Sequence, residues 1–288
     1  MGNSHSSNLW RRVDDVTHLA LASGALVPIE TSCEVHESDG IPYQLRVLVK
    51  ANPKTTASRP KKPRARNPFL PPEPALLVGD LTPTHFAVLN KFNVVDRHLL
   101  VVTREFVDQD EPLTAGDFEA LLVAMQGTEC LGFYNGGLVG GASQPHRHLQ
   151  VVPLPMAPVI GGLPTPVDAV ICENSVDRAT ATCRVLPFEH RLTLLHDRDV
   201  RPEQAPELLE LFEGFCRELG IADGQPFNAL LTSRWFMVVP RSEECFERVS
   251  VNALGFAGSL LVHDETALQR VVKVGPGEVL RRLTSKVG

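Results

Sequence analysis

The sequence lacks any pair of cysteines at the CxxC spacing that structural zinc sites and redox centres use. Its six cysteines are instead scattered, at positions 33, 130, 172, 183, 216 and 245. A chain of 288 residues can bury a large core without cross-links, so this pattern is typical of free thiols in a reducing compartment. We therefore expect a cytoplasmic protein without a disulfide framework.

The chain also lacks an excess of positive charge and a long apolar segment free of proline. Lysine and arginine number 28 against 34 acidic residues, a net charge of -6, whereas a general nucleic-acid binder needs a basic face. The apolar stretch at residues 151–171 contains five prolines, which exclude a membrane-spanning helix. No signal peptide precedes Arg11 and Arg12. These absences predict a protein that binds neither nucleic acid nor membrane.

The composition, 43% hydrophobic and 22% charged, is typical of a globular protein. Its apolar residues recur with helical spacing in some segments and with strand spacing in others. Helical spacing of apolar residues is found at residues 9–25, 114–131 and 205–219. Short apolar or alternating runs typical of strands are found at residues 43–49, 75–78, 85–89, 99–102, 188–195, 227–231, 236–239, 249–251 and 260–262. The prediction is an α+β fold forming a single compact unit over residues 1–288. Its C-terminal tail at 264–288 is expected to hold two short helical patches, broken at residues 275–277.

The sharpest change in composition falls at residues 52–74. Lysines and arginines alternate there with prolines, which excludes a helix and predicts an extended, mobile basic loop. A solvated linker explains such a segment. Six positive charges within thirteen residues of an otherwise acidic protein would also suit a lid over a polyphosphate. Lys54 is accordingly a candidate phosphate-binding residue.

Two parts of the chain resemble each other, which indicates an internal repeat. The run of residues 86–102 resembles the run of residues 227–239, and the segment after Asn135 resembles the segment after Asn252. The second copy lacks the histidines of the first. We infer a catalytic half and a degenerate half, at residues 20–156 and 185–263.

The candidate functional stretch is GGLVGGASQPHRHLQVVP, residues 136–153. Because side chains alternate along a strand, His146, His148 and Gln150 would share one face and Arg147 would point to the other. Two imidazoles could bind a metal ion, but Gln150 is a poor ligand and no carboxylate follows within five residues of His148. A polar pair on a solvated strand would leave the glycine-rich segment before it unexplained.

A third interpretation of this stretch is nucleophilic catalysis at phosphorus. A neutral imidazole, whose ordinary pKa is about 6.5, attacks phosphate without a general base and forms a labile adduct. Backbone N–H groups of the glycine turn, with Ser143 and Gln150, would hold the non-bridging oxygens. From these residues alone, metal binding, catalysis and a structural role all stay open.

The stretch Ser143-Gln144-Pro145-His146-Arg147-His148-Leu149-Gln150 is similar to the His-x-His-x-Gln motif of the nucleotidyltransferase branch of the histidine-triad superfamily. Residues 90–102 resemble the nucleoside-binding segment of that superfamily. Together with Asn67-Pro68-Phe69, residues 103–106 and residues 252–258, they resemble the ATP adenylyltransferases, also called diadenosine tetraphosphate phosphorylases. The resemblance implies a histidine-triad-like fold of two fused halves, with a largely antiparallel sheet and flanking helices.

The resemblance also implies a reaction. His148 would attack the α-phosphate of diadenosine tetraphosphate, ATP would leave, and inorganic phosphate would then remove the AMP from the histidine as ADP. The reverse reaction would join ATP and ADP. His146 would orient the site and Gln150 would stabilise charge. The implied substrate contacts are Asn90, Lys91, Asn135, Ser143 and Gln144, with Lys91 and Lys54 as competing contacts of the outer phosphates.

The resemblance implies no protein-bound cofactor and no protein metal site, but a divalent cation such as Mg²⁺ would accompany the polyphosphate. Two fused halves in one chain favour a monomer. The alternatives are a dinucleoside polyphosphate hydrolase, a hexose-1-phosphate uridylyltransferase-like enzyme and a nucleotide sensor without catalysis. Galactose-1-phosphate uridylyltransferases share the motif but usually have proline where this chain has Arg147, and many carry a CxxC zinc site.

The remaining candidates on this stretch and elsewhere are assigned structural roles. Arg147 is expected to pack or to form an ion pair rather than to touch phosphate. His98 is expected to be a core or loop histidine. No motif supports a functional role for the other histidines considered, His85, His190, His196 and His263.

Overall fold

The computed structural model describes residues 3–49, 67–156, 161–195 and 200–284. Lys54, most of the basic segment and His196 lie outside the described residues. The helices are α1 (Asn3–Ser23), α2 (Ala115–Met125), α3 (Ala205–Leu219), α4 (Ala253–Phe256), α5 (Glu265–Val274) and α6 (Pro276–Arg282).

The strands, numbered along the chain, form one large sheet and smaller ones. The large sheet has the spatial order β10 (Arg191–Leu194), β12 (Trp235–Pro240), β11 (Phe227–Leu231), β6 (Cys130–Gly136), β7 (His148–Pro153), β5 (Leu99–Thr103), β4 (His85–Leu89) and β3 (Leu77–Asp80). A second sheet contains β1 (Thr31–Ser38), β2 (Ile41–Leu48) and β15 (Ser259–Val262). Two short hairpins complete the set: β8 (Val176–Asp177) with β9 (Thr182–Cys183), and β13 (Cys245–Phe246) with β14 (Val249–Ser250).

Neighbouring strands of the large sheet are antiparallel throughout, whereas β2 and β15 run parallel. The predicted α+β class with a largely antiparallel sheet is therefore confirmed. At the middle of the large sheet β6 pairs with β11, and Asn135 lies opposite Asn228. This pairing, called the seam below, joins strands of the N-terminal and C-terminal parts of the chain in one sheet.

The two faces of the large sheet are covered differently. Helices α1, α2 and α3 pack on one face, where Leu149 and Val151 of β7 lie in an apolar core. On the opposite face, the end of the sheet formed by β10, β11 and β12 is covered by a larger core. This core includes Val152 and residues of β2, β15, α5 and α6. At the other end of that face lies a separate apolar cluster of Phe69, Phe86, Val88, Leu100 and Val102.

Several element boundaries differ from the predicted ones. Helix α2 begins after a capping box in which Thr114 and Asp117 bond each other's backbone amides, as predicted, but it ends at Met125 rather than at residue 131. Gly127 has a φ of +83°, and Cys130 already opens the buried strand β6. Residues 75–78, predicted as a strand, start with a 3₁₀ turn, and β3 begins at Leu77.

The remaining segments agree with their expected character in part. The tail from residue 264 contains two short helices as predicted, α5 and α6, which are separated at Gly275. Their Leu268, Val271 and Leu280 are fully buried in the larger core. The predicted mobile loop is wrong at its described end, because Asn67 and the buried Phe69 are fixed against the histidines. Helix α3 ends as predicted at Gly220, which has a left-handed conformation.

Candidate functional site

The predicted nucleophile His148 has a defined protonation state. Its Nδ1 lies 2.8 Å from the carbonyl oxygen of His146, and a carbonyl only accepts hydrogen bonds, so Nδ1 carries the proton. The Nε2 atom therefore holds the lone pair that a nucleophile needs. Burial lowers the pKa of His148 to about 4, so the ring is neutral at physiological pH.

Both ring nitrogens of His146 are occupied by protein partners. Nε2 donates to the carbonyl oxygen of Thr103 at 2.9 Å, and Nδ1 accepts from Asn67 Nδ2 at 2.8 Å. The Asn67 amide is held in that orientation because its Oδ1 accepts from the backbone N–H of Phe69 at 2.9 Å. His146 lies just before β7, in an isolated bridge with Asp108. The ring of His146 is therefore fixed and its carbonyl group contacts His148, and its orienting role stays a prediction.

Gln150 is oriented by a second chain of hydrogen bonds. Phe92 N–H donates to Asn90 Oδ1 at 3.4 Å, Asn90 Nδ2 donates to His98 Nδ1 at 3.2 Å, and His98 Nε2 donates to Gln150 Oε1 at 2.9 Å. Burial lowers the pKa of His98 to about 4, which keeps this ring neutral. The Gln150 oxygen thereby accepts a hydrogen bond from His98, and the NH₂ group of the same amide remains as a donor.

His98 is thus more than the core or loop histidine that we expected. It is buried, as a core histidine would be, but it connects two predicted site residues, Asn90 and Gln150. No local pattern in the sequence marks this role, because it depends on the register of β5 and β7, in which Leu100, two residues after His98, pairs with Gln150. That register places both side chains on one face of the sheet.

Arg147 lies on the opposite face, as strand alternation predicted. Its guanidinium group forms a buried ion pair with Asp117 of α2 at 3.0 Å and donates to the backbone carbonyls of Asp108 and Glu111. Asp117 also accepts from His85 at 3.1 Å. Burial alone would raise the pKa of Asp117, but His85, Arg147 and Thr114 together lower it below its usual range. The structural roles predicted for Arg147 and His85 are confirmed.

Asn135 lies on the seam, where the second part of the chain contacts it. Its Oδ1 accepts from Asn228 Nδ2 and from the backbone N–H of Ala253, both at 2.9 Å. Asn228 Oδ1 in turn accepts from the buried Arg241 at 2.7 Å. Burial lowers the pKa of Arg241 to about 10, yet the group stays charged at neutral pH. Sequence reasoning missed Asn228 and Arg241, because only the pairing of β11 with β6 brings them to this place.

The glycine loop after β6 is packed more tightly than expected. Gly141 N–H donates to Leu138 O and Ala142 N–H donates to Gly137 O, both at 3.0 Å. These two amides therefore do not form the anion cradle that the glycines suggested. A β-carbon at Gly140 would collide with the backbone oxygens of Gly136 and Phe227. The glycine is needed there for close approach to β11.

The other predicted contacts occupy different surroundings. Ser143 is exposed and Gln144 is half-buried, both between the glycine loop and His146. Lys91 Nζ lies 2.7 Å from Glu73 Oε2 in a half-exposed ion pair. Among the described residues, no group of three or more His, Cys, Asp or Glu side chains is placed to hold a metal ion.

Two general features of the chain bear on its setting. All six cysteines are free thiols. Within the ranges that the structure covers, no helix is both long enough and apolar enough to cross a membrane.

Comparison with protein families gives two matches that together span most of the chain. The model for the Ap4A phosphorylase N-terminal domain matches residues 2–173, and the model for the ATP adenylyltransferase C-terminal domain matches residues 184–286. The first match contains the histidine motif with His146, His148 and Gln150. The second contains Asn228 and Arg241.

Individual relatives agree with these matches. Diadenosine 5',5'''-P1,P4-tetraphosphate phosphorylase 2 of Saccharomyces cerevisiae is 30% identical, and the alignment covers 76% of each chain. Protein APA1 of the same organism is 25% identical over 75% of this chain and 74% of that protein. A solved structure of yeast Ap4A phosphorylase Apa2 has a TM-score of 0.79 at 23% identity, covering 96% of this chain and 97% of that one. The same yeast enzyme in complex with AMP gives a TM-score of 0.76 at 26% identity, with the same coverage.

Proposed function

We propose, from the premise that this chain belongs to the Ap4A phosphorylase family, that it is a nucleotidyltransferase. It cleaves diadenosine tetraphosphate with inorganic phosphate to give ATP and ADP, and it catalyses the reverse reaction. The observation that carries this proposal is the bare Nε2 of His148, whose Nδ1 proton is held by the carbonyl of His146. A neutral, fixed imidazole is the nucleophile that the reaction requires.

The first step transfers the adenylyl group to His148. The Nε2 lone pair forms a bond to the α-phosphorus, and the bond from that phosphorus to its bridging oxygen breaks, so that ATP leaves with the electron pair. The ring then has a proton on Nδ1 and a phosphoryl group on Nε2, and it carries a positive charge. The His146 carbonyl, 2.8 Å from Nδ1, stabilises that charge.

The second step releases the adenylyl group to phosphate. An oxygen of inorganic phosphate attacks the same phosphorus, the P–N bond to His148 breaks, and ADP leaves. In both steps negative charge builds on the non-bridging oxygens, and the NH₂ group of Gln150 is the proposed donor to them. Because His98 holds the other end of the Gln150 amide, this donor needs no reorientation during the reaction.

The nucleoside is proposed to bind beside the nucleophile on the same face of the sheet. The apolar cluster of Phe69, Phe86, Val88, Leu100 and Val102 adjoins His148, since Val102 pairs with His148 and the Phe69 ring lies 5.4 Å from the imidazole. An adenine ring suits such an apolar surface. Asn90, which directly follows the last residue of β4, Leu89, is the proposed ribose contact.

The surroundings of the reaction are also proposals. A divalent cation such as Mg²⁺ would enter with the polyphosphate as part of the substrate, and Ser143, Gln144, Lys91 and Lys54 are proposed contacts of its phosphates. The seam joins the proposed halves, residues 20–156 and 185–263, within one chain, and this arrangement supports a monomer. The six free thiols support a cytoplasmic location.

One assay tests the proposed reaction. The protein is incubated with diadenosine tetraphosphate and Mg²⁺, with and without phosphate, and the products are separated. Phosphate-dependent formation of ATP plus ADP is the expected result. Formation of ATP plus AMP without phosphate would identify a hydrolase. Turnover of a uridine diphosphate hexose with a hexose 1-phosphate, without turnover of the adenine dinucleotide, would identify a uridylyltransferase.

A further inference from the structure

One buried side chain outside the histidine motif contacts the backbone of His148 directly. The ladder of β6 and β7 ends at the pair Phe133 and Gln150, and the same register continued would place Tyr134 opposite Leu149 and then Asn135 opposite His148. The side-chain amide of Gln109 lies between them instead. Its Oε1 accepts from His148 N–H at 2.9 Å, and its Nε2 donates to Asn135 O at 2.9 Å and to His148 O at 3.3 Å.

The amide of Gln109 thus takes the place of a strand partner. Backbone groups of neighbouring strands satisfy each other's hydrogen bonds, and here one side chain satisfies both polar groups of His148 and one of Asn135. The orientation of the amide is fixed, because its oxygen faces an N–H donor and its nitrogen faces two carbonyl acceptors. Strands β6 and β7 are therefore held apart at Asn135 and His148, and the space between them, called the gap below, is filled by the Gln109 amide. The loop of residues 137–147 connects the two strands beyond the gap.

Gln109 is itself held rigidly. Its side chain is 2% exposed. Its backbone N–H donates to Pro145 O at 2.7 Å, and its carbonyl accepts from the hydroxyl of Tyr134 at 2.6 Å. The preceding residue, Asp108, forms the isolated bridge with His146. Gln109 is therefore bonded both to Tyr134 of β6 and to Pro145, which lies shortly before β7.

We propose that Gln109 is a positioning residue for the nucleophile. It separates β6 from β7 by the width of one amide and fixes the His148 backbone relative to Gln150 and the glycine loop. Without it, the two strands can close on each other by direct pairing of Asn135 with His148. The imidazole would then lose its alignment to the α-phosphorus. The role of Gln109 in catalysis rests on the proposed function, whereas its effect on the His148 ring does not.

The experiment compares Gln109→Met and Gln109→Asn with wild type. Met has a similar length but no hydrogen-bonding groups, and Asn keeps the amide but cannot span the gap. Misplacement of a reacting group by about 1 Å costs roughly 100-fold in rate, so we expect kcat to fall by that order in Gln109→Met and less in Gln109→Asn. KM for the dinucleotide should change little, since neither variant alters the proposed nucleoside surface.

Gln44→Met is the matched control. Gln44 is also a buried glutamine, 1% exposed, but it lies in β2 of the second sheet and its Oε1 has no hydrogen-bond partner within the part of the chain that the structure describes. Its kcat should stay within about twofold of wild type, because the site is untouched. An equal loss of kcat in this control would overturn the proposal, because it would assign the effect to general loss of stability.

A second readout does not depend on turnover. The ¹⁵N chemical shifts of the His148 ring report which nitrogen carries the proton, and wild type should show Nδ1–H alone. In the Gln109 variants we expect a mixture of tautomers or a shifted ring pKa. Unchanged kcat together with an unchanged ring in a folded variant overturns the proposal, and Gln109→Asn decides the matter if Gln109→Met does not fold. Wild type inactive on the dinucleotide would instead refute the proposed function and leave the ring measurement valid.

Discussion

Nδ1 of His148 donates a hydrogen bond of 2.8 Å to the carbonyl oxygen of His146. This contact gives the two histidines of the motif different tasks, although they are two residues apart and of the same chemical type. Both ring nitrogens of His146 are hydrogen-bonded, to Thr103 and Asn67, and its contact with His148 is made by its backbone carbonyl group. His148 uses one ring nitrogen for that backbone contact, and its other ring nitrogen is the proposed nucleophile.

The replacement His148→Ala removes the proposed attacking atom, Nε2. We expect kcat for phosphorolysis to fall by roughly three orders of magnitude or more, as is usual when a nucleophile is deleted. Acid-labile labelling of the protein by α-³²P-labelled substrate should disappear as well. His263→Gln is the control, because His263 is half-exposed and directly follows β15. This variant should leave both kcat and the labelling unchanged. Full labelling of the alanine variant would show that another residue accepts the adenylyl group.

His98→Phe tests whether the hydrogen-bond chain to Gln150 matters. Phenylalanine can still pack against Phe133, whose ring lies 5.8 Å from that of His98, but it cannot donate to Gln150. The Gln150 amide is then free to rotate and to present its oxygen to phosphate. A hydrogen bond of this kind contributes about 1 kcal/mol net, so we expect kcat to fall about fivefold to tenfold. Steady-state kinetics with an unchanged kcat and a normal melting temperature would contradict this role.

Asp117→Asn should affect stability rather than substrate affinity. The change leaves Arg147 buried without its charge partner on the helical face of the sheet, away from the site. Breaking a buried ion pair from one side costs about 3–5 kcal/mol, measurable by urea denaturation. Adding Arg147→Met in the same chain should recover part of the loss. An additive effect of the two changes would show that the pair is not coupled.

Gly140→Ala should also destabilise the fold, because the new β-carbon would meet the backbone oxygens of Gly136 and Phe227. Backbone atoms cannot move aside without opening the seam. We expect a loss of about 1–3 kcal/mol, typical of overpacking. Gly214→Ala in α3 is the matched control, since its nearest neighbour would lie at 3.8 Å, an ordinary contact. This second change should stabilise the protein by about 0.5–1 kcal/mol. Thermal unfolding of both variants measures the difference.

The buried histidines predict how stability depends on pH. Burial lowers the pKa of His98, His148 and His190 to about 4 in the folded state, whereas each is near 6.5 in the unfolded chain. Above pH 6.5 neither state binds these protons, so they do not affect stability. As pH falls from about 6.5 to about 4, the unfolded state alone takes up protons, and each histidine costs about 1.4 kcal/mol per pH unit.

His190 allows this pH dependence to be checked away from the site, because its hydrogen bonds among the described residues are to backbone groups, of Cys183 and Phe188. In His190→Gln the free energy of unfolding, measured with urea at pH 7, 6 and 5, should fall with a slope that is smaller than that of wild type by about 1 kcal/mol per pH unit on average. Equal slopes for wild type and variant would mean that the buried ring takes up its proton without unfolding.

Sequence reasoning predicted what depends on local periodicity. The placement of His148 with Gln150 on one face and of Arg147 on the other follows from strand alternation within β7. The role of His98 depends on the register between β5 and β7, and the bond of Asn228 to Asn135 depends on the seam. Such contacts join residues 52 and 93 positions apart, which no local pattern encodes.

The glycine loop shows a different limit. A run of glycines indicates that a backbone needs freedom or close approach, but it does not say which. At Gly140 the need is close approach to β11, and the amides of Gly141 and Ala142 are used within the loop. Only the position of the second part of the chain separates the two interpretations.

The seam also bears on the solubility of the chain. Every residue of β6 is buried, and four of the five residues of β11 are buried as well. If the two parts existed as separate proteins, each would end in an apolar edge strand with unpaired N–H and C=O groups, which is a template for aggregation. Pairing β6 with β11 inside one molecule removes both edges at once. Mutations that loosen this pairing should therefore lower the soluble yield of the protein before they change its chemistry.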